Sequence, residues 1–107
     1  MASDKGYLDY IIEQLSGVNA SYRAMMGEYV LYVDGKVVGG VYDNRLLVKP
    51  TPTALALIPD SPRELPYPNA KEMLLVEDVD NRAFLTELFT ALANDLPAPK
   101  QKKTEVL

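Results

Sequence analysis

The chain has 107 residues, 48% hydrophobic and 24% charged, a net charge of −4, and neither cysteine nor histidine. That length and balance suit one globular domain with a core of its own. The two missing residue types exclude disulfides, thiolate nucleophiles, thiolate metal sites and imidazole acid–base chemistry.

The opening Met1–Gly6 lacks the charged-then-apolar layout of a signal peptide. No apolar run approaches the ~20 residues needed to span a bilayer, so a cytoplasmic protein is expected. Ser3 is the predicted N-cap of a first helix over about residues 4–16, with Asp4 adding negative charge to its first turn. Tyr7, Leu8, Ile11, Ile12 and Leu15 recur on one helical face, and Gly17 is the predicted stop. Tyr22 to Met26 is a candidate strand leading to Gly27. Tyr29 to Val33 is β-branched and aromatic, hence a strand. Asp34-Gly35 suits a two-residue hairpin turn. Lys36 to Val41 follows, interrupted by Gly39-Gly40, which marks a bulge or a close backbone approach. Asp43-Asn44 is the second turn and Arg45 to Lys49 the next strand.

Six of the eight prolines fall between residues 50 and 68, the least regular region. Within it Thr53 to Ile58 is a predicted short helix capped by Thr51 or Thr53. Met73 to Val76 reads as a buried strand, with Tyr67 as the candidate start of its partner. The last helix is capped by Asp78 or Asp80 and carries the stripe Phe84, Leu85, Leu88, Phe89 and Leu92. Pro97 and Pro99 end it. Residues 1–97 form the expected domain, and 98–107 a polar, flexible tail.

The stretch Met25 to Lys49 resembles the signature of the TfoX/Sxy amino-terminal domain, a family linked to bacterial competence. The pattern Met-Phe-Gly-Gly-Tyr-Gly-Leu-Tyr, then Asp-Gly-Lys, then Asp-Asp-Arg-Leu-Tyr-Leu-Lys is met at Met25, Gly27, Tyr29, Leu31, Tyr32, Asp34, Gly35, Lys36, Asp43, Arg45, Leu46 and Lys49. Met26, Glu28, Val30 and Leu47 depart from it. The resemblance implies an α+β two-layer sandwich similar to secretion chaperones. Its antiparallel sheet has about five strands, with helices on one face in the order α-β-β-β-α-β-β-α. It also implies a regulatory role, in a family whose full-length members carry a further helical domain that this sequence lacks.

Chemistry candidates are few. Glu77-Asp78-Val79-Asp80 is the densest carboxylate cluster, but an EF-hand reading fails at Ala83 and Phe89, and helix capping explains the acids. Arg45 and Lys49 share one strand face and with Arg23 make a candidate anion or partner contact. Tyr29 and Tyr32 lie on opposite strand faces without basic neighbours, which argues for packing rather than base stacking. No nucleophile is paired with a base by any signature. No catalytic, metal-binding or cofactor-binding residue is therefore expected.

The charge points the same way. Ahead of Pro97 stand eight basic and fourteen acidic residues, a balance of −6, which repels DNA. Lys100, Lys102 and Lys103 in the tail give only a weak, salt-sensitive contact. The expected function is a non-enzymatic regulatory module acting by protein–protein contact. Self-association through the sheet face of Val30 and Tyr32 is expected, giving a homodimer. The alternatives are a direct DNA-binding regulator and an anion or small-molecule sensor built on Arg23, Arg45 and Lys49.

Overall fold

The computed structural model of the protein describes residues 3–97. Short turns with positive φ dictate its first half. Strands β1 (Ala20–Met25), β2 (Glu28–Val33), β3 (Lys36–Tyr42) and β4 (Arg45–Val48) form an antiparallel meander. Two residues join each pair: Met26 and Gly27 at φ 52° and 85°, Asp34 and Gly35 at 53° and 79°, Asp43 and Asn44 at 54° and 57°. Paired positive φ is the hairpin geometry whose twist matches that of the flanking strands. The second and third turns lie where the sequence puts them. The first is not legible as a turn, because a long side chain seldom accepts positive φ.

Two further strands, β5 (Arg63–Glu64) and β6 (Met73–Leu75), complete a six-stranded sheet in the order β1-β2-β3-β4-β6-β5. The α+β class with an antiparallel sheet is as expected, with six strands in place of about five. The partner of β6 is Arg63–Glu64 and not a strand begun by Tyr67, which lies in the loop between them. Helices α1 (Lys5–Gln14), α2 (Pro52–Leu57) and α3 (Arg82–Asp95) complete the fold. Leu8, Ile11 and Leu15 meet Leu85, Leu88, Phe89 and Leu92 over Leu31, Val33, Val41, Leu46, Val48 and Leu74 in one core. The alternating residues Val30 and Tyr32 of β2 lie on the opposite face and are half-buried.

Gly39 and Gly40 do both things their sequence suggests. The register between β2 and β3 shifts at Leu31/Tyr32, which pair with Gly39 and Val37. The extra residue, Val38, sinks fully into the core while Val37 turns outward. A Cβ on Gly39 would stand 2.1 Å from the Leu47 carbonyl oxygen and one on Gly40 2.5 Å from that of Tyr29. The strands pack backbone to backbone there, so no side chain fits.

Caps set the helix ends, and three differ from expectation. Asp4, not Ser3, caps α1, its carboxylate accepting from the Gly6 N–H at 3.4 Å. Ser3 instead donates to Glu28 at 2.6 Å and accepts from the Asn44 N–H at 3.1 Å, tying two hairpin turns together. Helix α1 ends at Gln14 with Leu15 as its C-cap, ahead of Gly17, whose missing Cβ leaves room for Thr86 of α3. Asn81, not Asp78 or Asp80, caps α3 by accepting from the Phe84 N–H at 3.0 Å. Thr51 caps α2 as expected, accepting from Ala54 N–H at 3.3 Å. Helix α3 stops at Asp95, before Leu96, whose extended ψ of 148° is what a residue preceding Pro97 adopts. The expected tail, residues 98–107, lies outside the described residues.

Asp95 joins the end of α3 to the start of α2. Its two carboxylate oxygens accept from the Thr53 N–H and hydroxyl, both at 2.8 Å. Those bonds, the backbone one first, hold its carboxyl below the ordinary carboxylate value.

Two outcomes follow from this packing. Gly39→Ala should lose about 3 kcal/mol of stability in urea unfolding, the upper range for overpacking, because the obstruction is backbone that cannot swing away. Asp95→Asn should lower the melting temperature at neutral pH and flatten its acid dependence. The Asp95 contribution is present in full above the ordinary carboxylate pKa of about 4 and disappears as pH falls through the lowered folded value. Parallel thermal melts of both proteins from acid to neutral pH would show the two curves converging at low pH.

Candidate functional site

The sheet face turned away from the helices carries the candidate residues. Register places Arg23 beside Val30, Gly40 beside Leu47, and Tyr42 beside Arg45 on that face. Leu47 is fully buried there although it stands outside the helix-side core. The segment between β5 and β6 returns over this half of the face, with Pro66 buried and the Tyr67 ring 6.2 Å from that of Tyr42. Burial first, and Tyr67 second, raise the pKa of the Tyr42 hydroxyl. It therefore stays protonated at neutral pH.

The three candidate cations share this face but do not converge. Arg45 forms an ion pair with Glu64 and donates to the carbonyls of Tyr42 at 3.1 Å and Leu65 at 3.3 Å. It holds the returning segment down and has little left for a ligand. Arg23 is exposed on β1, three strand spacings from β4, or about 14 Å. Lys49 lines a cleft of about 670 Å³ together with Lys71, Thr51, Tyr42 and Tyr67. Lys71 thus takes the place beside Lys49 that sequence spacing gives to Arg45. It falls in the loop between the proline-rich stretch and β6, where no periodicity announces a face.

Two of the clustered carboxylates and one of the two candidate tyrosines have structural partners. Asp78 accepts from the Asn81 side chain at 3.3 Å, and Asp80 accepts from the Tyr10 hydroxyl. Tyr29 faces the helices and meets Tyr22 edge-on at 5.8 Å, while Tyr32 points to the other face. Among the described residues no group of three or more acidic side chains is placed to hold a metal ion. Lys100, Lys102 and Lys103 lie outside the described residues.

A second cleft, of about 870 Å³, opens at the end of the sheet formed by the first and third hairpin turns. Met25, Met26, Leu65, Tyr67 and Pro68 give it an apolar wall, and Glu28, Asp43 and the Glu64-paired Arg45 complete its lining. Exposed large apolar side chains gather there, led by Met26 at 96% and Tyr67 at 53%. None of these apolar residues is singled out by sequence spacing. No sequence signal finds Met26, because its turn is not legible as one.

The chain is similar to a Spirochaeta aurantia protein described as an uncharacterised 12.7 kDa protein in the trpE 5′ region. The two are 39% identical over 108 residues, covering 98% of this chain and 93% of that one. The chain belongs to that protein's family. No family model and no solved structure matches it. Among the described residues of this family member, no helix is long and apolar enough to cross a membrane.

Proposed function

We propose that the protein is a non-enzymatic regulatory module of the cytoplasm, working by protein–protein contact through the apolar cleft around Met26. One observation carries this reading. Met26 holds a left-handed backbone at φ 52° while its side chain is 96% exposed. That conformation costs about 1–2 kcal/mol for a residue with a Cβ, and no packing among the described residues offsets it. Strain of this kind, kept at an exposed tip, is a mark of a functional surface. Methionine is also the side chain best able to mould itself to another protein.

The Glu28 and Asp43 carboxylates in the lining and the acidic body favour a partner that presents apolar residues flanked by cations. The resemblance of Met25–Lys49 to the TfoX/Sxy amino-terminal domain supports a place in competence or transcriptional regulation, exerted through a protein rather than through DNA. Met26→Asn tests this with two readouts. Asparagine tolerates positive φ, so urea unfolding should show a gain of about 0.5–1 kcal/mol. Affinity capture from the native host should at the same time lose a partner that the unchanged protein retains. Capture of the same proteins by both forms would overturn the reading.

The cleft with Lys49 and Lys71 favours a second reading, a sensor for a small anion with a planar body that stacks on Tyr42 and Tyr67. Nucleotides and aromatic carboxylates should then raise the melting temperature, since a ligand that binds the folded state stabilises it. The rise should vanish in Lys49→Ala/Lys71→Ala. A rise of equal size in that variant would refute the site.

A further inference from the structure

Strand β1 is an edge of the sheet, and its hydrogen-bonding pattern is fixed by the turn that follows it. Met25 and Glu28 flank the two-residue Met26-Gly27 loop and so exchange both backbone bonds. Alternation makes Arg23/Val30 and Ser21/Tyr32 the other bonded pairs. Tyr22 and Ala24 therefore direct their N–H and C=O groups away from β2, as Ala20 does its C=O. Natural edges are usually blunted by proline, charged side chains, a bulge or shortness. This edge is six residues long, without proline, its pairing with β2 unshifted and five of its six residues exposed. Its one charge, Arg23, stands on the face away from the helices, and the Lys5 ammonium of α1 lies 6.0 Å over the Tyr22 ring.

The other edge, β5, has only two residues and cannot accept a strand of six. Edge-to-edge addition between copies must then join β1 to β1. Such a contact uses the same surface on both partners, so it closes as a two-fold dimer and does not grow into a filament. Centring the pair on Tyr22 sets Tyr22 against Tyr22 and the Ala24 N–H of each copy against the free Ala20 carbonyl of the other, the Ala20 N–H being held by the Val18 carbonyl. Moving the centre to Arg23 sets two guanidinium groups opposite each other, which is destabilising. Moving it to Ser21 leaves Ala24 opposite Val18, which lies outside the strand.

We propose that two copies of this chain pair antiparallel through β1, with Tyr22 facing its own counterpart on the two-fold axis. The two six-stranded sheets become one continuous sheet. The Tyr22 rings, 41% exposed in the single chain, meet on its helix side. Val30 and Tyr32, on the strand next to β1, flank the seam on its other side. This proposal is independent of the partner contact at Met26.

The absence of cysteine makes a direct test available. Facing residues of a bonded antiparallel pair have Cα atoms about 5.5 Å apart, inside the range a disulfide bridges. Under mild oxidation Tyr22→Cys should accumulate a covalent dimer. Ala24→Cys should not, because its counterpart lies too far along the strand. Sedimentation should show a dimer of the unchanged chain and a monomer of Ala24→Pro. That proline removes an outward N–H and no bond to β2. A monomer of the unchanged chain at high micromolar concentration would overturn the proposal. So would a covalent dimer forming as fast from Ala24→Cys as from Tyr22→Cys.

Discussion

Two adjacent glycines in β3 fix how the strands of this sheet can lie. Gly39 abuts the Leu47 carbonyl and the Val48 Cα, and Gly40 abuts the Tyr29 carbonyl and the Tyr42 ring. With no Cβ to hold them apart, β2, β3 and β4 draw together at one level. The bulge at that level then resets the alternation of β3. Val38 enters the core, Val37 leaves it, and the Val38 carbonyl accepts from the Lys49 N–H at 2.9 Å. That bond carries the chain past the end of β4 towards Thr51, whose side chain starts α2. The layer of helices is therefore registered on the sheet through a pair of residues that have no side chains.

Polar groups at element ends then set the orientation of the layers. The Lys36 ammonium, from the start of β3, donates to the Ala93 carbonyl in the last turn of α3 at 2.8 Å. A cation at that position satisfies an orphan carbonyl and complements the helix dipole. Asp95 reaches from the same turn to the start of α2, where an anion is favoured. At the far end of the sheet, Glu28 accepts from both Ser3 and the Asp43 N–H. Glu28 stands where the resembled pattern has glycine, and here it joins the chain's start to the turn between β3 and β4.

Legibility in the sequence follows the range of the interaction. The helix stripes of α1 and α3 are legible because periodicity is local and the buried faces are wide. Asp34-Gly35 and Asp43-Asn44 are legible because their residues favour positive φ. The cap of α3 falls one residue past Asp80 and three past Asp78, because three polar residues within four positions compete for one N–H and only backbone geometry chooses Asn81. Strand β5 has two residues in a proline-rich stretch, too short to carry a period. At the site, the alternation of Val30 and Tyr32 is visible in the pattern. The Arg45–Glu64 pair is not, since it joins residues nineteen apart across a loop whose path no local rule predicts.

Departures from local rules are themselves informative, and here they concentrate in one hairpin. Sequences that fold well keep propensity, turn chemistry and edge protection in agreement, and function is where they relax them. Most of this molecule conforms. The edge at β5 is short, the face over Leu47 is covered by the Pro66–Tyr67 segment, and Arg45 is neutralised by Glu64. The hairpin of β1 and β2 does not conform. It has a methionine where asparagine or glycine would fit, and a six-residue edge that has neither proline nor bulge. Neither feature aids the folding of a single chain, and the turn opposes it. Both are accounted for if this hairpin is the part of the molecule that meets other chains. The turn then offers side chains to a different protein, and the strand offers backbone to a second copy.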